Sequence, residues 1–73
     1  MKDIVIKKQP VELCKILKFE GLAATGGDAK MVIADGQVKV NGEVELRKRK
    51  KIVDGDVIEF DGETLRIQYT APE

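Results

Sequence analysis

The spacing of apolar residues changes from helical to alternating at Gly36, and that change sets the order in which this chain lays down helix and sheet. Upstream, Leu13, Cys14 and Leu17 follow helical spacing between Val11 and Phe19, with Ile16 at the margin and Glu12, Lys15 and Lys18 mainly on the other side. Pro10 stands where a first helical residue would, and Gly21 is a stop signal. Thr25 followed by Asp28 reads as the acidic form of a capping box. Ala29, Val32 and Ile33 then form the inward stripe of a second helix, which Gly36 ends. The short connection from Gly21 to Gly27 predicts two closely packed, angled helices, a helix-turn-helix-like pair.

Downstream of Gly36 the period is two. Gln37 to Val40 alternates polar and apolar, Asn41-Gly42 is a strong hairpin signal, and Glu43 to Leu46 makes the return strand. Asp54-Gly55-Asp56 and Asp61-Gly62 read as turns on either side of a strand from Val57 to Phe60. Leu65, Ile67 and Tyr69 alternate along the last strand, and Lys2 to Lys7 forms a short β-branched strand at the start. The expected fold is α+β: two packed helices against a small, mostly antiparallel sheet of about four to five strands, in one domain over residues 1–73.

Several chemistries are excluded by what is missing. The chain has no His, no Ser and no Trp, and Cys14 is its one cysteine. A Ser–His–Asp or Cys–His arrangement and a Cys/His zinc site therefore cannot form, and an internal disulfide cannot either. Cys14 lies beside Leu13 and Leu17 on the apolar face and reads as a buried structural thiol. The acidic residues Asp54, Asp56, Glu59, Asp61 and Glu63 lack a calcium-loop pattern and read as turn and outward strand positions. The expectation is a non-enzymatic protein with no metal and no cofactor. No apolar run approaches the roughly 20 residues of a membrane span, and Met1-Lys2-Asp3 does not begin a signal-peptide core, so a cytoplasmic location is expected.

The formal net charge is zero, but its distribution is uneven. Residues 1–51 carry 12 Lys/Arg against 7 Asp/Glu, and residues 52–73 carry 1 against 6. A phosphate partner responds to the local field, screened over ~8–10 Å, and not to the total. The run Arg47, Lys48, Arg49, Lys50, Lys51 is either a solvated loop or an anion-binding one, and five like charges in succession favour a partner anion. Lys39 on the hairpin and Lys15, Lys18 and Lys30 on the outer helix faces are the further candidates. Phe19, Phe60 and Tyr69 read as core-directed, which leaves no exposed ring for stacking bases and favours recognition of phosphates and shape.

Glu20-Gly21-Leu22-Ala23, the capped helix with Ala29-Lys30 and Ile33, and Gly36-Gln37-Val38-Lys39-Val40-Asn41-Gly42 together resemble the signature of the S4-type RNA-binding domain. Gly55-Asp56-Val57-Ile58 stands where that family places a Gly-Asp pair leading into a strand. The resemblance covers Val11 to Phe60, and length and flanking strands are similar to its small stand-alone bacterial members. It implies binding of structured RNA through the two-helix face and the adjoining hairpin, with Lys30 and Lys39 at the family's basic positions. The family often has Ser-Arg at the start of the second helix; Thr25-Gly26 stand here, leaving backbone N–H groups as a weaker anion site. The partner expected from residues and resemblance together is structured RNA of the ribosomal or transfer RNA class, met by a monomer. The alternative is an adaptor whose basic face meets an acidic protein.

Overall fold

The computed structural model describes residues 1–71. Strand β1 (Lys2–Ile6) is followed by a two-residue strand β2 (Val11–Glu12), helix α1 (Leu13–Phe19) and helix α2 (Gly26–Ala34). Five further strands complete the chain: β3 (Val38–Val40), β4 (Glu43–Val44), β5 (Lys51–Ile52), β6 (Val57–Phe60) and β7 (Glu63–Tyr69). The main sheet has the order β1-β7-β6-β3-β4, with β1 parallel to β7 and the other pairs antiparallel. β2 and β5 form a separate antiparallel pair. The expected α+β architecture is present, with a five-stranded sheet and this additional small one.

Both helices end in the same way, and the sequence explains why. Gly21 N–H donates to Lys18 and Leu22 N–H to Leu17; Gly36 N–H donates to Ile33 and Gln37 N–H to Val32. Each is a Schellman ending, which needs a left-handed residue after the last turn. Gly21 (φ 75°) and Gly36 (φ 82°) supply it without a Cβ penalty. The start of α2 carries the N-cap half of the expected capping box, with Thr25 Oγ1 accepting from Asp28 N–H at 3.1 Å. Asn41 at φ 54°, followed by Gly42, closes the β3–β4 hairpin, and Asp61 at φ 52° does the same between β6 and β7.

The strand pleat sends alternate residues to opposite faces. Val38, Val40, Ile58, Leu65, Ile67, Ile4 and Ile6 go to the buried face, where they join Leu13, Ile16, Leu17, Ala29 and Ile33 of the helices in one core. Ile16, at the margin of the helical pattern, belongs fully to that core, and Cys14 is buried in it. Lys39, Glu59, Thr64, Arg66 and Asp3 alternate to the other face, where Arg66 Nε lies 3.1 Å from Asp3 Oδ1.

Two sequence expectations fail. Pro10 does not open α1; Val11 and Glu12 pair with Ile52 and Lys51, and the helix begins at Leu13, whose N–H donates to Lys50 at 2.9 Å. A long-range strand pairing overrides the local helical pattern there. Phe19 is not core-directed but 71% exposed. At ~100° per residue it lies roughly 140° around α1 from the centre of the Leu13, Cys14, Ile16 and Leu17 face. Phe60 and Tyr69 do pack against the core.

Asp54 and Asp56 do more than populate a turn. Asp56 accepts from Val53 N–H and from the Asn41 side-chain amide, Asn41 in turn accepts from Val57 N–H, and Asp54 accepts from Tyr69 N–H at 2.8 Å. These bonds tie the hairpin tip, the β5–β6 turn and the final strand together, a job for short acceptors at turn positions.

Ile52 is 0% exposed although it directly follows the basic run. Ile52→Ala is expected to lower unfolding free energy in urea by about 2–5 kcal/mol, whereas Phe19→Ala is expected to change it by under about 0.5 kcal/mol.

Candidate functional site

The β2–β5 pairing decides where the basic run goes. With Glu12 opposite Lys51 and Leu13 N–H bonded to Lys50, residues 47–50 are held as a loop against the start of α1. Arg49 is thereby brought beside Glu12, whose carboxylate lies 3.8 Å from Arg49 Nε and 3.5 Å from Lys15 Nζ. Lys15, Lys18, Lys30 and Arg49 line one cleft together with Glu12, Cys14 and Gly26. Among the described residues these cations exceed the single carboxylate, which makes the cleft positive, and Glu12 orients two of them. A Cβ built on Gly26 would meet nothing within 4 Å, so the first turn of α2 is open to the cleft. Lys48 extends the positive surface on the other side of Lys30, where the two line a neighbouring hollow with Met31 and Asp35.

The remaining candidates are placed elsewhere. Lys39 projects from the sheet face opposite the core, with Glu59 directly across the strand pair and Asp61 and Glu63 lining the same depression. It therefore does not join the helix-face cations, because Val38 and Val40 on either side of it must point inward. Arg47 is held by Glu45 in a two-pronged contact, Nε to Oε2 at 3.0 Å and Nη2 to Oε1 at 3.2 Å, and its N–H donates to the same carboxylate. With Lys50 it lines a crevice beneath the hairpin tip. Lys51 is exposed on β5. The cluster of cations is thus smaller than the sequence suggests and centred on Lys15, Lys18, Lys30 and Arg49, with Lys48 beside it.

The Arg47 contact shifts both partners. The side-chain hydrogen bonds from Arg47, followed by its backbone N–H, hold the Glu45 carboxyl below its ordinary value, and Glu45 holds Arg47 above its own. A depressed carboxylate contributes stability above its unfolded-state pKa and loses it as pH falls through the folded one. Among the described residues no group of three or more His, Cys, Asp or Glu is arranged to hold a metal ion.

Residues 4–68, nearly all of the secondary structure, match the S4 domain family. The chain belongs to that family. Among its relatives, YbcJ of Escherichia coli strain K12 is 48% identical over 68 residues, 92% of this chain and 97% of its own length. The "Probable ribosome maturation protein RlbA" of Bacillus subtilis strain 168 is 34% identical over 59 residues, 81% of this chain and 83% of that protein. The solution structure of E. coli YbcJ, which reveals an ALFAL motif involved in RNA-binding, is similar with a TM-score of 0.71 over 93% of this chain and 87% of that one. The 30S ribosomal protein S4e of Thermoplasma acidophilum is similar with a TM-score of 0.64 at 34% identity, over 80% of this chain and 31% of that one. No helix among the described residues is long and apolar enough to cross a membrane.

Sequence reasoning missed Phe19, and also Lys7 and Lys8, which share a groove with Lys15 and Lys18 on the far side of α1. For Phe19 a signal was present, since it falls with Lys15 and Lys18 on the outward arc of α1; Lys7 and Lys8 lie outside that helix and carried no such signal.

Arg47→Ala is expected to return the Glu45 carboxyl to the ordinary carboxylate range in an NMR pH titration. An unchanged Glu45 titration would contradict the contact described.

Proposed function

We propose that this chain binds structured RNA, of the ribosomal or transfer RNA class, chiefly through phosphates that settle in the cleft between α1, α2 and the basic loop. The observation that carries this reading is the convergence of Lys15, Lys18, Lys30 and Arg49 on one cleft that also includes the open first turn of α2 at Gly26. Arginine can engage two phosphate oxygens at once, lysines act as mobile point charges, and the N–H groups of a helix start add partial positive charge. Membership of the S4 domain family supports it, as do the RNA-binding motif of YbcJ and the ribosomal roles in the names of S4e and RlbA. Lys48 supplements the cleft, while Lys50 and Lys51 contribute at longer range. Lys39 and Arg47, each beside carboxylates, contribute least. The protein acts as one RNA-binding unit in the cytoplasm, without catalysis.

If about four to five phosphates are neutralised, log affinity should fall against log salt with a slope of magnitude roughly 3.5–4.5. Binding of the protein to a structured RNA at several salt concentrations measures it, and a flat response would reject the reading. Lys15→Glu, Lys30→Glu and Arg49→Glu combined should abolish binding while the folded spectrum is retained. Lys39→Glu alone should weaken it only a few-fold. Equal losses from Lys39→Glu and the triple change would move the interface to the hairpin, retention of RNA by the triple variant would place the RNA surface outside the cleft, and failure of the wild type to bind RNA would favour the adaptor reading.

A further inference from the structure

Single exposed apolar side chains are ordinary on protein surfaces, but Phe19 is set in a built surroundings. It lies on a groove of about 620 Å³ between α1 and the edge strand β1, floored by Ile4, Ile6 and Ile16. Lys7, Lys8, Lys15 and Lys18 also line this groove. Among the described residues its one carboxylate is Glu20, which is engaged by Lys2 at 3.5 Å. Lys15 and Lys18 line the basic cleft as well. The apolar groove and the cationic cleft are therefore the two flanks of one lysine ridge on the outer face of α1.

We propose that Phe19 is a stacking platform for an unpaired nucleobase of the RNA whose phosphates lie in the adjoining cleft. The proposal rests on the RNA-binding reading and narrows it: the ligand carries a bulged or looped-out nucleotide beside its helical part. An outward-facing ring flanked by cations is the arrangement by which proteins hold unpaired bases, because every base offers a π-face and its flanking phosphates need neutralising. An acidic peptide would satisfy the lysines too. The sharing of Lys15 and Lys18 between groove and cleft favours one continuous polyanion over two separate partners.

The test uses the full chain with two probes, a blunt RNA duplex carrying one bulged adenine and the same duplex without the bulge. The wild type should bind the bulged duplex more tightly. Phe19→Leu, which keeps the apolar bulk and removes the ring, should weaken binding to the bulged duplex about 5- to 150-fold and leave the paired duplex unchanged; Phe19→Tyr should retain the preference. With two Phe, one Tyr and no Trp or His in the chain, the Phe19 ring protons can be followed by NMR, and they should move upfield only with the bulged RNA. Equal losses on both duplexes, or none on either, would overturn the proposal. So would capture of an acidic protein through Phe19 with RNA affinities untouched by Phe19→Leu. Failure of the wild type to bind either duplex would bring down the RNA-binding reading itself, whereas binding of both with no effect of the bulge removes the Phe19 platform alone.

Discussion

A strand pairing only two residues long holds the candidate site together. Val11 and Glu12 pair with Ile52 and Lys51, and the next amide, Leu13 N–H, bonds to Lys50. Two-residue ladders have little stability of their own. This one is secured by Ile52, completely buried in the core, on one side and by the start of α1 on the other. Without it, residues 47–50 would form a solvated loop of mutually repelling charges. With it, Arg49 sits beside Glu12 and Lys15, and the basic run becomes one wall of a cleft whose other walls are α1 and α2.

The pleat of the sheet makes the second division. Inward Val38 and Val40 force Lys39 to the outer face, among Glu59, Asp61 and Glu63, while among the described residues the helix-face cations meet only Glu12 in their cleft. A chain of zero net charge thus separates its charges in space. Asp54 and Asp56 are taken up as acceptors for backbone amides and for Asn41, so part of the acidic half serves the fold.

Most of the fold was legible because it is written in local signals. Gly21 and Gly36 marked helix ends, Thr25 a helix start, Asn41-Gly42 and Asp61-Gly62 the hairpins, and period-two alternation the strands. The errors arose where non-local pairing or angular position decided the outcome. Pro10 followed by an apolar pattern looks like a helix start until the distant Ile52 is seen to claim Val11. Phe19 looks like a core residue by composition, yet its position around α1 turns it outward. The basic run and the scattered lysines were legible as charges, but not which of them would converge, since that depends on the β2–β5 pairing and on the face each strand residue takes.

The surface proposed to meet RNA is the one shared by α1, α2 and the Lys48–Arg49 loop. Mapping backbone amide shifts of the isotope-labelled protein during titration with a structured RNA tests it most directly. The largest changes are expected at Lys15, Lys18, Gly26, Gly27, Lys30, Lys48 and Arg49. Changes confined to Lys39 and the Glu59–Glu63 face, with the helix pair unmoved, would contradict it.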